Sequence, residues 1–264
     1  MFKVIKISAV SYLNTKPFLR GLLASPIKDI CVDIDIPSEC ARKLIENEVD
    51  LGLIPIAVIP LVKDAKILPG YCIAADGCVE SVKLYSQVPL NEIKTILLDY
   101  QSRTSVILVK ILANELWHIS PEWVETNEGY EKQISGDTAA VIIGDRTFTL
   151  NACLPKRGGA FPFEFDLAEE WKKLTGLPFV FACWVSNKPL SDEFLNDFAK
   201  AMEYGINNIG ETAVREAPTY FPFNIENYLL NSLKLRLDER GTKAITLFLG
   251  KMKNYTTKPK FESH

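Results

Sequence analysis

Short apolar runs alternate with longer amphipathic segments along most of the chain, which is typical of α/β proteins. In the first third of the chain, the apolar runs predict strands at residues 3–10, 30–36, 51–54, 67–75 and 80–86. The amphipathic segments between them predict helices at 14–23 and 39–48. Ser38 precedes the second helix and is a typical N-cap residue.

A second series of elements begins after Pro89. The same pattern predicts strands at 95–99, 123–125, 139–143 and 178–186, and helices from Ser102 to about residue 118 and at 166–174. Gly176 is expected to end the second of these helices. From Ser191 to about residue 253 the pattern is almost entirely helical.

This order of elements predicts two α/β lobes. Lobe 1 combines residues 1–86 with 187–264, and lobe 2 comprises 90–180, so the chain is expected to cross between lobes near 84–89 and 181–186. Two crossings beside a cleft are the plan of the two-lobed, type II periplasmic binding protein-like fold. Proteins of this kind close on small ligands by hinge motion.

The composition is that of a folded protein, with 47% hydrophobic and 24% charged residues among 264. A net charge of −3 argues against nucleic acid as a partner, because binding to a phosphate backbone favours basic proteins. The apolar stretches at 51–60 and 178–185 are too short to span a membrane, and the first residues show no export signal. We therefore expect a cytoplasmic protein that binds neither nucleic acid nor membrane.

Histidine is nearly absent, since only His118 and His264 occur. That scarcity excludes most histidine-based zinc sites and Ser-His-Asp triads, and neither nucleotide-binding glycine motif is present. We therefore expect no metal and no cofactor. The six cysteines form no CxxC pair, which predicts buried thiols rather than disulfides.

Polar residues follow two predicted strands of lobe 1. Ser11 and Asn14 come directly after the first strand, and Gly77 and Ser81 lie near the first crossing. Because α/β sheets bind ligands at the carboxyl ends of their strands, these four are candidate site residues. The alternatives are that Asn14 caps a helix and that Gly77 belongs to an ordinary turn.

A third polar segment opens the long helix of lobe 2 with Ser102, Arg103, Thr104 and Ser105. The first N–H groups of a helix attract anions, and three hydroxyls with one guanidinium strengthen that attraction. A solvated helix end needs only one capping hydroxyl. The segment therefore predicts a carboxylate or phosphate site.

A fourth segment follows the strand predicted at 139–143 and carries Asp145 and Arg146. In the functional interpretation, Arg146 helps to bind the ligand and Asp145 orients a proton or a water. In the alternative interpretation, the two residues form a surface ion pair of little energetic value.

Six segments of the chain resemble the chorismate dehydratase family of the futalosine route to menaquinone. They are VSYLNTKP at 10–17, DLGLIPIAVIP at 50–60, GCVESVKLYS at 77–86, LDYQSRTSVILVKIL at 98–112, IIGDR at 142–146 and DLAEEWKKLTGLPFVFACW at 166–184. They occur in the family's order across about residues 4–187, and the helical end adds no motif. The resemblance implies a periplasmic binding protein-like fold and a lyase that removes water from chorismate.

The resemblance also implies roles for individual residues. Asn14 is the candidate polar catalytic residue, the segment from Ser102 to Ser105 holds a substrate carboxylate, and Gly77 and Ser81 contribute from elsewhere in the cleft. The base is not identified by any motif. The substrate's own enolpyruvyl carboxylate is one candidate and Asp145 is another.

Two alternative functions remain open at the level of sequence. One is a 1,4-dihydroxy-6-naphthoate synthase-like enzyme of the same pathway, which is expected to carry a site histidine that this chain lacks in its junction segments. The other is a binding protein for a small aromatic anion, which requires export. The oligomeric state is not predicted.

Overall fold

The chain is built on two β-sheets, and the computed structural model describes residues 4–25, 27–150 and 161–255. The strands are β1 (Ile5–Val10), β2 (Ile30–Asp35), β3 (Leu51–Pro55), β4 (Lys66–Ala75), β5 (Val82–Ser86), β6 (Thr95–Leu98), β7 (Glu122–Glu125), β8 (Thr138–Ile143), β9 (Phe163–Asp166), β10 (Phe179–Ser186) and β11 (Lys234–Arg236). The helices are α1 (Lys16–Ala24), α2 (Pro37–Ile45), α3 (Arg103–Glu115), α4 (Arg146–Leu150), α5 (Leu167–Thr175), α6 (Asp192–Asn207), α7 (Ile209–Tyr220), α8 (Ile225–Asn227) and α9 (Glu239–Met252).

The first sheet has six strands in the order β11-β4-β10-β3-β1-β2, and the second has five in the order β7-β6-β8-β5-β9. In each sheet three parallel strands at one side continue into antiparallel strands at the other. The carboxyl ends of β1, β2 and β3 lie at one edge of the first sheet, and those of β6 and β8 lie at one edge of the second. Such edges are where ligands bind in α/β proteins.

The two sheets confirm the predicted two-lobed α/β architecture but displace its predicted boundaries. Residues 84–86 were expected in a crossing, whereas they belong to β5 inside the second sheet. Residues 181–186 likewise belong to β10 inside the first sheet, where they pair with β3 and β4. The chain therefore passes between the sheets at 76–81 and 176–178. From here on, lobe 1 is the part of the chain built on the first sheet and lobe 2 the part built on the second. Polarity cannot indicate which sheet a strand joins, because that depends on its long-range pairing.

Local signals predicted several element ends correctly. The Ser102 hydroxyl accepts a hydrogen bond from the backbone N–H of Ser105 (3.0 Å) and begins α3. Gly176 has φ of 73° and ends α5. Ser38 is not the N-cap of α2, because the helix begins one residue earlier at Pro37, which suits a first helical position. The short strands β9 and β11 were not predicted.

The aromatic core of lobe 1 lies where α1 and α6 cover β10. Trp184 is fully buried, with its ring centroid 6.0 Å from that of Phe18 and 5.2 Å from that of Phe198, both at steep edge-on angles. A second, smaller core in lobe 2 surrounds Tyr85 and Tyr130. These cores hold the two sheets as rigid supports for the loops between them.

The cysteine prediction is confirmed in part. Cys40, Cys72 and Cys183 are buried free thiols. Cys31 and Cys78 are also free but exposed, so the prediction of burial was wrong for them. Cys31 lies on the edge strand β2, and Cys78 lies in the first crossing. Cys153 falls outside the described residues.

None of the helices within the described ranges is both long and apolar enough to cross a membrane. The cytoplasmic location stays a prediction.

Candidate active site

A cleft lies between the two sheets. Its polar lining comes from Tyr12, Asn14, Thr15, Ser81, Ser102, Thr104 and Ser105. The remaining lining residues are aliphatic or aromatic, apart from Gly144, and among those that the structure describes none has a charged side chain.

The turn after β1 brings Asn14 into the cleft as predicted. Residues Leu13–Thr15 form a single 3₁₀ turn that continues into α1, and Pro17 stands in the first turn of that helix. The buried Thr15 hydroxyl donates to the Asn14 side-chain oxygen (3.2 Å). Ser11 does not line the cleft, and its N–H group donates to the Asp35 carbonyl (2.9 Å) at the end of β2.

The first crossing contributes Ser81 but not Gly77. Ser81 is buried (2% exposed) and lines the cleft. Its side-chain oxygen accepts a hydrogen bond from the Tyr228 hydroxyl (2.9 Å). Gly77 has φ of 139°, and a side chain added there would meet no atom within 4 Å. Gly77 is not among the residues that line the cleft, so its contact with a ligand stays a prediction.

The N-terminus of α3 points its three hydroxyl residues at the cleft. Ser102, Thr104 and Ser105 are buried and line it. The Thr104 hydroxyl also joins the lobes, since it accepts from the Ala57 N–H (3.2 Å) and donates to the Phe181 carbonyl (3.5 Å). The anion site predicted for this segment therefore has its hydroxyls and its helix terminus in place.

Arg103 was expected to supply the positive charge of that anion site, and the structure places it elsewhere. Its side chain is exposed and lines a separate surface groove with Tyr100 and Lys110. Successive helical residues are rotated by about 100°, so Arg103 and Ser105, two positions apart, point in nearly opposite directions. Ser102 lines both the cleft and the outer groove, whereas Arg103 lines the groove alone.

Arg146 was also expected to contact the ligand, but it forms an internal ion pair. One guanidinium nitrogen lies 2.5 Å from the fully buried carboxylate of Asp99, and the other lies 2.6 Å from Glu131. The guanidinium also lies 5.3 Å from the ring centre of Tyr100 and 5.7 Å from that of Tyr130. Arg146 stabilises lobe 2 behind the cleft and does not line it.

Asp145 joins the two lobes instead of facing the cleft. Its carboxylate accepts from the Leu13 N–H (3.0 Å and 3.2 Å) and from the Tyr220 hydroxyl (2.6 Å). Burial raises the pKa of Asp145, and these two hydrogen bonds partly oppose that rise. Both oxygens are occupied, so Asp145 is poorly placed to act as the base that the sequence suggested.

Gly144 brings the two lobes into close approach at the cleft. Its φ is 67°, and a Cβ atom there would lie 2.8 Å from the Tyr12 ring. The Tyr12 hydroxyl in turn donates to the Gln101 side-chain oxygen. Burial raises the pKa of Tyr12 above its usual range, so its phenol keeps its proton. Neither Tyr12 nor Gly144 was singled out in the sequence.

Aromatic residues from the C-terminal helical part of the chain, which no motif marked, pack against Phe148 of lobe 2. Phe148 of α4 stacks on Phe223 with ring centres 3.9 Å apart and also contacts Tyr220 and Tyr228 edge-on. This aromatic cluster joins lobe 2 to residues 220–228. The only sequence signal was the unusual density of aromatic residues at 220–228.

The assembled cleft is apolar in most of its lining, with neutral hydrogen-bond donors and one helix N-terminus. Hydrogen bonds and helix dipoles act more strongly in such surroundings than in water. The arrangement can bind a small organic anion and hold a hydroxyl group against Asn14 and Ser81. Within the described residues no group of three or more potential metal ligands occurs.

Comparisons with known proteins match the chain to one family. A family model described as menaquinone biosynthesis matches residues 5–254. A chorismate dehydratase from Thermus thermophilus is 30% identical over 233 residues, covering 81% of this chain and 85% of that protein.

Solved structures match over nearly the whole chain at low sequence identity. A crystal structure from Archaeoglobus fulgidus has a TM-score of 0.71 at 15% identity, covering 95% of this chain and 97% of that one. A Candida albicans protein with the generic periplasmic binding protein fold has a TM-score of 0.64 at 12% identity, covering 98% and 92%. These likenesses confirm the predicted fold class and concern the fold alone.

Proposed function

The chain belongs to the menaquinone-biosynthesis family that its chorismate dehydratase relative represents, and we propose that it dehydrates chorismate to 3-[(1-carboxyvinyl)oxy]benzoate. One observation carries the proposal beyond the family match. Asn14 and Ser105 come from two of the matching segments and are 91 positions apart in sequence. Both nevertheless line one cleft whose described lining carries no charged side chain.

The reaction is an elimination that makes an aromatic ring. The C3–H and C4–O bonds of the ring break, a C3–C4 double bond forms, and the proton and hydroxide leave as water. Conjugation with the ring carboxylate acidifies C3–H, and aromatisation supplies the driving force. The protein therefore has to orient the substrate, stabilise charge developing on the ring carboxylate and assist departure of the hydroxyl.

The N-terminus of α3 is the best support for a substrate carboxylate. Ser102 and Ser105 line the cleft at this terminus, where first-turn N–H groups have no acceptor within the helix. No cation lines the described part of the cleft, so these dipoles take the role that sequence reasoning gave to Arg103 and Arg146. A fixed dipole in an enclosed site stabilises developing charge without reorganising.

The base is best supplied by the substrate. No carboxylate and no histidine line the cleft among the described residues, and Asp145 already accepts two hydrogen-bond donors. The enolpyruvyl carboxylate, attached at C3 through oxygen, is then the nearest basic group to the C3 proton. Asn14 and Ser81 are placed to hold this carboxylate or the leaving hydroxyl in position.

Incubation of the purified protein with chorismate tests the proposal. Formation of the enolpyruvyl benzoate, followed by its aromatic absorbance and identified by mass, is the expected result. Asn14→Ala is expected to fold and to lose more than tenfold in kcat, or about 1.4 kcal/mol of transition-state stabilisation.

The matched control for this variant is Asn114→Ala, whose side chain lies on the surface of α3 far along the helix from the cleft. Tight binding of chorismate without turnover would favour the binding-protein alternative. Activity of Asn14→Ala within threefold of wild type would remove Asn14 from the reaction while leaving the function in place.

A further inference from the structure

The hydroxyl of Tyr228 lies directly behind the cleft. Tyr228 begins the π-helical turn Tyr228–Ser232, is 1% exposed and does not line the cleft itself. Its hydroxyl donates to the Ser81 oxygen at 2.9 Å, from a part of the chain 147 residues further along. π-Helical turns occur often at functional sites, and this one lies beyond the six motif segments quoted from the sequence.

The hydroxyl of Tyr228 keeps its proton. Burial raises the pKa of Tyr228, and the neighbouring Ser81 and Asn14 side chains partly oppose that rise. The phenol therefore stays protonated and donates to the Ser81 oxygen.

The position of this phenol is rigid. Its ring packs edge-on against Phe148 with centroids 5.0 Å apart and against Phe223 at 5.7 Å. Phe148 belongs to α4 of lobe 2, whereas Tyr228 and Asn14 belong to lobe 1. Tyr228 is thus held at the place where both lobes meet Ser81.

We propose that Tyr228 is a positioning residue that directs the hydroxyl proton of Ser81 into the cleft, an inference that rests on the proposed function. Tyr228 O–H occupies a lone pair of Ser81, so the serine proton has to point elsewhere, and the cleft is the open side.

The Ser81 hydroxyl then donates to one oxygen of the substrate. In the elimination this oxygen is the C4 hydroxyl, which gains negative charge as the C4–O bond breaks and leaves with a proton as water. Donors that strengthen only as that charge develops raise kcat without tightening ground-state binding. Tyr228 exchanges no proton with the substrate, because it does not touch it.

Tyr228→Phe in the full chain tests the proposal, because it keeps the ring and removes one oxygen. We expect kcat for chorismate to fall about 10- to 100-fold, with KM within about threefold of wild type. Tyr85→Phe is the matched control, since Tyr85 is also fully buried and its hydroxyl has no hydrogen-bond partner among the residues that the structure describes. It should leave kcat unchanged.

A double-variant cycle separates positioning from structural damage. If Tyr228 acts through Ser81, Tyr228→Phe combined with Ser81→Ala should have a kcat within about twofold of Ser81→Ala alone. Losses that multiply in the double variant would overturn the inference, as would an unchanged kcat of Tyr228→Phe in an active enzyme. A wild-type protein that does not convert chorismate would overturn the proposed function, and this inference with it.

Discussion

Arg103 and Ser105 are two positions apart in sequence but lie in different environments. Ser105 is buried at the cleft, and Arg103 is exposed in an outer groove. At the scale of single residues, side-chain direction therefore decides function more than residue type does. The charged candidate Arg103 lies outside the cleft, whereas the hydroxyl residue Ser105 lines it.

This difference predicts opposite outcomes for two substitutions. Ser105→Ala should raise KM for chorismate about tenfold, because a buried hydroxyl at the anion-binding helix terminus is lost. Arg103→Ala should leave kcat/KM within about twofold of wild type, because the side chain lies outside the cleft. Steady-state kinetics at two ionic strengths check both, and a large loss in Arg103→Ala would return this residue to the site.

At the scale of elements, Asp166 ties the first crossing to the start of α5. One carboxylate oxygen accepts from the N–H groups of Ala168 (3.1 Å) and Glu169 (3.2 Å) as an N-cap. The other accepts from Val79 (2.9 Å) and Glu80 (2.7 Å) in the crossing. A single buried side chain thus satisfies four backbone donors and fixes the path of the chain towards Ser81.

Asp166→Ala is therefore expected to destabilise the protein by about 3 kcal/mol, because it removes a cap and leaves buried donors unpaired. Ser191→Ala is the matched comparison, since Ser191 caps α6 through one bond to Phe194 (3.2 Å). It should cost about 1 kcal/mol. Urea unfolding measures both, and equal losses would show that the bonds to the crossing contribute nothing.

At the scale of the whole molecule, the lobes are joined by groups from both sides of the cleft. Asp145 contacts Leu13 and Tyr220 across the lobes. Thr104 contacts Ala57 and Phe181 beside it. A hinge motion that opens the cleft has to break these bonds, so lobe closure, proton binding and ligand binding are expected to be linked.

The pH dependence of stability should reveal the state of Asp145. Burial raises its pKa above the ordinary 3.8, with Lys16 opposing and Glu216 adding to the rise. The folded protein then holds this proton more tightly than the unfolded chain does. The stabilisation is full below pH 3.8 and is lost as the pH rises through the raised value.

Asp145→Asn should remove this decline, so the unfolding free energy of wild type relative to the variant should fall as the pH rises from 3.8. Asp238→Asn gives the opposite control, because Lys234 lowers the pKa of Asp238 and wild type should gain on that variant with rising pH. Urea unfolding at a series of pH values provides both profiles. A flat difference for Asp145→Asn would contradict the assigned shift.

Ligands that contact both lobes should stabilise the closed molecule. Chorismate or the benzoate product at about 100 times its Kd should add roughly 2.7 kcal/mol and raise Tm by several degrees. Shikimate lacks the enolpyruvyl carboxylate and should raise Tm much less. A thermal-shift series compares the three, and equal shifts for shikimate and product would show that the second carboxylate is not recognised.

Local interactions explain what the sequence by itself determined. Most strands and helices, and the ends marked by Ser102 and Gly176, depend on neighbours within a few residues, and these were predicted correctly. Asn14, Ser81, Ser102, Thr104 and Ser105, which were chosen from sequence, all line the cleft, and their roles toward a ligand stay predictions.

The tertiary structure alone decided which sheet β5 and β10 join and which partner each charged candidate meets. Asp145 binds Tyr220 across 75 positions and Arg146 binds Asp99 across 47, so no local pattern records either contact. Tyr228 reaches Ser81 from 147 residues away, in a segment without a motif. Such contacts arise only when packing brings distant elements together. Because of them, Asp145 and Arg146, which were expected at the ligand, form internal contacts and do not line the cleft.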